Sequence, residues 1–137
     1  MKKNPTIYLN HIIDCINKIK IYTEGMNQDD FLNNSLVQDG VIRNLEIVGE
    51  ATKQLDQEFR LKYPQIEWKK IAGMRDKLIH DYIGVDLWAV WGAIEKIIPD
   101  FDKQIQAIIR KKKTAYNTRQ AAWLSDLRIV TFKPTRN

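Results

Sequence analysis

The residues Arg75-Asp76-Lys77-Leu78-Ile79-His80-Asp81-Tyr82 bring a guanidinium, two carboxylates, an imidazole and a phenol into one short stretch. An imidazole moves protons near neutral pH, and a guanidinium fits the oxygens of a phosphate with its forked donors. Apolar spacing predicts a helix from near Trp68 to about Tyr82. On a straight wheel at about 100° per residue, Arg75 falls in the middle of an arc formed by Trp68, Ile71, Ala72, Leu78, Ile79 and Tyr82. A buried guanidinium needs a partner or a task, because leaving it unpaired costs several kcal/mol. It can snorkel outward, pair with Glu46 or Glu50, or hold a ligand's phosphate. Asp76 and His80 lie one turn apart on a neighbouring face, where the carboxylate would fix the imidazole's tautomer and raise its pKa. The same spacing also fits a surface pair with no task. Arg75 and His80 stand about 140° apart on this wheel, so one regular helix does not aim both at a single phosphate. Either the arginine reaches round, the helix loosens near Gly73 or Gly84, or a second copy completes the site.

Other polar groups suggest less chemistry. Arg43, Glu46 and Glu50 recur at i, i+3 and i+7 on one helix, a spacing that suits structural pairing with one another or with Arg75. Gly49 beside them would let a neighbouring helix approach closely. His11 precedes the apolar pair Ile12–Ile13 and reads as a passive residue. The His80-Asp81 dipeptide is similar to the metal-binding pair of phosphohydrolases, but that site needs further histidines and His11 is the only other one. No metal and no cofactor are expected. Neither a Gly-rich phosphate loop nor a Ser/His/Asp order is visible.

The elements that must position these groups are helices. Leu9, Ile12, Ile13, Ile16 and Ile19 mark a first helix from about Pro5 to Glu24, closed by Gly25. A short turn is expected around Asp29–Asn33. A long helix from about Leu36 to Leu61 carries Val41, Leu45, Val48, Leu55 and Phe59, and Tyr63-Pro64 ends it. After the motif helix, Asp86 is a candidate N-cap for a stripe of Leu87, Val90, Trp91, Ile94, Ile97 and Ile98. Pro99 kinks or restarts that helix, and Phe101, Ile105, Ile108 and Ile109 resume it. The expected fold is all-α: an up-and-down bundle of four main helices over residues 1–113. Residues 114–137 form a basic extension, left unassigned between helix, strand and disorder, although Arg128–Lys133 reads most like a strand.

With 137 residues and ordinary apolar content, the chain has the size of one globular domain. Its single cysteine, Cys15, excludes an internal disulfide and a Cys-based zinc site, and fits a reducing cytoplasm. No uncharged run approaches the ~20 residues that span a bilayer, so no membrane role is expected. The net charge of +5 is unevenly spread: Arg110–Asn137 has eight bases and one acid, while residues 1–109 hold 14 bases and 16 acids. Basicity therefore belongs to the tail, and a basic-tailed nucleic-acid-binding protein is disfavoured by the acidic body.

The Arg-x4-His-x-Tyr pattern of Arg75, His80 and Tyr82 resembles the motif of the HepT toxin family, within the HEPN superfamily of small helical ribonucleases. Arg43–Ala51 (RNLEIVGEA), Tyr63-Pro64…Trp68, Ile71–Met74 and Asp86…Trp91 extend the likeness across roughly residues 7–109. Glu67 and Thr52 depart from the family pattern at packing positions, and the tail after residue 113 has no counterpart. The resemblance implies a HEPN-like bundle that forms a homodimer with its motif helices facing each other and an RNA cleft at the twofold. It implies a metal-independent ribonuclease in which the RNA 2′-hydroxyl attacks the adjacent phosphorus. His80 would act on the proton transfer, Arg75 would hold the phosphate, and Asp76 would orient one or both. Tyr82 would accept AMP from a partner nucleotidyltransferase antitoxin. On a continuous wheel Tyr82 shares a face with Arg75, so the added AMP would reach the arginine that RNA needs. The alternative is a non-catalytic HEPN dimer serving as an interaction module for the same partner.

Overall fold

The computed structural model describes residues 4–80 and 84–131. Helix α1 (Pro5–Thr23) begins where Asn4 accepts from the Thr6 N–H at 3.0 Å, with proline in its first turn. Beyond its end Gly25 takes φ +73°, a left-handed conformation that glycine adopts without a Cβ clash. Helix α2 (Gln28–Leu32) opens with a reciprocal capping box between Asn27 and Asp30. Helix α3 (Ser35–Lys53) is capped by Asn34 and packs along α1. Leu9, Ile12, Ile16 and Ile19 from one helix and Val41, Leu45 and Val48 from the other join a single buried cluster.

The expected long helix to Leu61 is two helices. Gln54 ends α3, and Asp56 caps a new helix α4 (Gln57–Leu61) by accepting from the Phe59 N–H at 2.8 Å. Arg60 spans the gap, donating to the carbonyls of Thr52 at 2.8 Å and Leu55 at 3.0 Å. The Thr52 carbonyl also accepts from the Leu55 N–H at 3.1 Å, so the guanidinium adds a second bond at the end of α3. The Trp68 indole N–H then donates to the carbonyls of Arg60 and Tyr63, fixing the start of the motif segment against this turn.

The motif segment departs most from expectation. In place of one helix over 68–82 the chain forms α5 (Trp68–Ala72), a break at Gly73, and α6 (Met74–Leu78). Two short strands come next, β1 (Ile79–His80) and β2 (Gly84–Val85), paired antiparallel with Ile79 opposite Val85 and His80 opposite Gly84. Glycine at the break costs a helix interior about 1 kcal/mol relative to alanine. Tyr82 lies outside the described residues.

Asp86 caps α7 (Leu87–Gly92) through the Ala89 N–H, as its position implied. The helix restarts at Pro99, as expected, with the new helix beginning one residue before it. A π-helical turn, Ala93–Ile97, precedes helix α8 (Ile98–Thr131). Proline cannot donate and its ring crowds the carbonyl four residues back, so a widened turn just before it relieves both difficulties. Ile98, Phe101, Ile105 and Ile108 close the core, while Phe31 of α2 stacks at a tilt on Trp91 with ring centroids 5.4 Å apart. The carboxylate of Asp102, buried at the α1–α8 junction, is held by Lys20 and by Gln106. Leu87 and Ile94, expected at the inner seam, are only half-buried.

The all-α bundle is the fold observed. Its fourth wall consists of the short helices α4, α5 and α6 rather than one long rod. The strand expected at Arg128–Lys133 is absent up to Thr131, which continues α8; residues 132 and 133 lie outside the described part. No described helix is long and apolar enough to cross a membrane.

Candidate functional site

The break at Gly73 decides where Arg75 goes. In α5 the buried residues are Trp68, Ile71 and Ala72, whereas in α6 they are Met74 and Leu78. Placed on one wheel, the inward side of α6 is rotated by roughly 90° from that of α5. Arg75 therefore leaves the apolar arc and is exposed, as are Asp76 and Lys77. The buried guanidinium read from the straight wheel is corrected: of the alternatives, the loosened helix at Gly73 is the one observed.

Arg75 stands at one side of a groove of about 580 Å³ whose other walls come from α1 and α3. Tyr8 and His11 line it from α1, and Arg43, Glu46 and Glu50 from α3. The approach of the motif segment to α3 is close at Gly49, where an added Cβ would lie 3.5 Å from the Ala72 carbonyl oxygen and 3.9 Å from the Arg75 Cβ. That is ordinary contact for one methyl group and leaves no space for a larger side chain. Gly49 thus holds the arginine-bearing helix against α3, as its position suggested.

Neither candidate carboxylate neutralises Arg75. Glu46 lies 3.9 Å from Arg43 and Glu50 lies 3.5 Å from Lys53, each within its own helix. Among the described residues Arg75 makes no ion pair, so its donors face solvent in the groove. Exposed pairs such as Arg43–Glu46 add little to stability, typically ~0–1 kcal/mol. The pairing read for Arg43, Glu46 and Glu50 holds for Arg43 with Glu46 alone; Glu50 pairs with Lys53 instead, and neither carboxylate pairs with Arg75.

The Asp76–His80 relation also changes. His80 belongs to β1, two residues past the end of α6, so the helical i, i+4 contact does not apply. The backbone of His80 is fixed by its pairing with Gly84, and its side chain lies outside the described atoms. The shared face of Tyr82 and Arg75 lapses for the same reason, because the helix that would carry both stops at Leu78.

His11 and Tyr8 are the groove residues that sequence reasoning passed over. Their i, i+3 spacing puts them on one face of α1, which was the available signal, but nothing in the sequence says that α6 faces it. Cys15 supplies no nucleophile here: burial pushes its thiol above the ordinary value, with the charge of Lys18 opposing. A second cleft of about 300 Å³ is lined by Glu67, Lys70, Lys96 and Asp100, and neither Arg75 nor Asp76 lines it.

Comparison with known proteins matches the family described as ribonuclease HepT-like over residues 12–108. A protein of Methanocaldococcus jannaschii named gamma-glutamylcyclotransferase and, provisionally, RNase is 46% identical over 121 residues. That match covers 85% of this chain and 54% of the relative, so the chain spans about half of that protein. A provisionally named RNase of Caldanaerobacter subterraneus is 42% identical over 111 residues, covering 81% of this chain and 99% of the relative. A Thermococcus cleftensis protein, provisionally named ribonuclease HepT, is 38% identical over 108 residues, covering 79% of this chain and 98% of its own. No solved structure matches. With most of the bundle inside the match and the Arg75–His80 segment in its interior, the chain belongs to the HepT-like ribonuclease family.

Proposed function

We propose that this chain is a metal-independent endoribonuclease, the toxin of a type II toxin–antitoxin pair. The observation that carries the reading is Arg75, exposed on a groove and without an ion pair among the described residues, in a chain of this family. A guanidinium in that condition is ready to take a phosphate, because no carboxylate among the described residues has to be displaced first. In the proposed step the RNA 2′-oxygen forms a bond to the adjacent phosphorus while the bond to the 5′-oxygen breaks. His80 acts on the proton transfer, by which the proton leaving the 2′-hydroxyl is balanced by one gained at the departing 5′-oxygen; Arg75 holds the charge that develops on the phosphate oxygens, and Asp76 orients one or both. The product is a cyclic phosphate, since the attacking group belongs to the RNA. The substrate is RNA, with tRNA the expectation that the family resemblance brings.

The regulatory half of the reading concerns Tyr82. A nucleotidyltransferase antitoxin transfers AMP from ATP to its hydroxyl, forming a phosphodiester and releasing pyrophosphate. The homodimer belongs to the same reading and rests on the family resemblance, because the wheel geometry that called for a second copy no longer applies. An RNA substrate and such a partner imply a cytoplasmic setting.

The test is cleavage of RNA by the purified chain in EDTA, beside Arg75→Ala and His80→Ala. Retained cleavage by the wild type, loss in both variants and cyclic-phosphate ends are expected. A requirement for added Mg²⁺ or Mn²⁺ overturns the mechanism. Incubation with the partner and ATP, read by mass spectrometry, should add AMP to the wild type and none to Tyr82→Phe.

A further inference from the structure

We propose that the projecting half of α8 is a docking arm for single-stranded RNA; this rests on the ribonuclease reading. The last fully buried residue of α8 is Ile108, and every residue from Lys113 to Asp126 is exposed. From Lys113 to Thr131 the helix extends beyond the packed body by roughly 28 Å at 1.5 Å per residue. Its root is fixed, because the Lys112 ammonium sits 5.3 Å from the centre of the Phe59 ring. The family match ends at residue 108, so the arm is an addition to the matched domain. Relatives covered over 98–99% of their own length align with only 108–111 residues of this chain.

The face that the arm presents is unusual for a helix in water. Tyr116 and Trp123 are 55% and 57% exposed, and they stand seven residues apart, within about 20° of each other on a helical wheel. Lys113 and Arg119 lie about 60° from Tyr116 on either side, with Asp126 about 20° beyond Arg119, so cations and rings alternate from Lys113 to Trp123. The opposite face carries Thr114, Thr118, Ala121 and Ser125, small and uncharged. A helix that docks in a protein groove has the reverse arrangement, with charges opposite the apolar anchors. Two such arms side by side would set their cations against each other. A polyanion with flat, separable rings matches the stripe: bases stack on Tyr116 and Trp123 while Lys113 and Arg119 meet phosphates. The charge division is compatible with this: residues 1–109 are net acidic, Arg110, Lys111 and Lys112 lie at the root of the arm, and the arm itself carries Lys113, Arg119 and Arg128 against the single acid Asp126.

The experiment measures binding of a fluorescent, mixed-sequence 2′-O-methyl oligoribonucleotide to the full chain by polarisation; the methyl group blocks cleavage. Tyr116→Ala/Trp123→Ala should weaken binding by about tenfold or more, with the salt slope unchanged. Trp123→Phe should retain binding, because a stacking ring remains. Lys113→Gln/Arg119→Gln should make the slope of log affinity against log salt shallower by about 1.4, two contacts at about 0.7 each. These residues lie outside the core, so circular dichroism and unfolding midpoints should stay near wild type. Unchanged affinity in both double variants overturns the arm while leaving the ribonuclease reading intact if RNA is still cut. A change of oligomeric state in Tyr116→Ala/Trp123→Ala, with RNA affinity kept, assigns the face to a second copy and also overturns it. RNA binding through the arm without cleavage of unmodified RNA defeats the ribonuclease reading instead.

Discussion

The α1–α3 pair and the segment 68–85 are built from similar residues and do opposite things. Both mix apolar and charged side chains at helical spacing, and both contribute to the same core. The α1–α3 pair consists of two uninterrupted 19-residue helices, each with an asparagine N-cap. The segment 68–85 is divided into two five-residue helices and a two-residue strand pair. Continuity keeps one face turned inward over many turns. Interruption lets consecutive polar groups face outward without taking the apolar residues out of the core. The first region buries its apolar faces, and the second leaves Arg75 exposed at the groove, the arrangement that the proposed function uses.

The largest expected effect lies in the continuous pair. Ile12→Ala should cost about 2–5 kcal/mol in a chemical unfolding titration, because Ile12 is fully buried. A value under about 1 kcal/mol would mean that the pair is not the structural centre. Arg75→Ala should separate the two tasks: cleavage falls about 10²–10³-fold while stability stays within about 0.5 kcal/mol, as for other exposed positions. Loss of stability comparable to that of Ile12→Ala would make Arg75 a structural residue after all. The caps allow a finer comparison. Asn34→Ala at the start of α3 and Asp86→Ala just after the strand pair should each cost about 1 kcal/mol by thermal unfolding, but only the second should also lower cleavage. For Gly73→Ala a stability change under about 1 kcal/mol is expected. Its added Cβ would meet the Lys69 carbonyl oxygen at 3.1 Å, tight but adjustable. A more continuous helix would turn Arg75 inward, so cleavage should drop more than stability does. Unchanged cleavage would show that the break is not what presents the arginine.

These contrasts also explain what the sequence made legible. Helix periodicity located α1 and the start of α3, and the one cap read from the sequence, Asp86, caps α7. What failed was phase. A wheel assumes constant rotation, and one residue that departs from it at Gly73 misplaces everything downstream. Arg75 was found by type and spacing, yet its surroundings were read wrongly for that reason. The groove partners His11 and Tyr8 were hidden because they reach Arg75 only through the packing of α1, α3 and α6, a tertiary fact. At the other end, Arg128–Thr131 read as a strand from its β-branched residues, but it continues an established helix, and propensity is a weak prior against propagation.

The Lys20–Asp102 contact sets an order on how the chain acquires its shape. Its partners are 82 residues apart, whereas α1 and α3 are joined by a short connection through α2. Closing a short loop costs less entropy than closing a long one, so α1 can meet α3 well before α8 is in place. Docking of α8 then becomes the late, non-local event, and the rate of folding should depend on residues at that junction more than on those of the α1–α3 hairpin. Until then the apolar stripe of Phe101, Ile105 and Ile108 has nothing to cover it, which makes the half-assembled chain the form most exposed to aggregation.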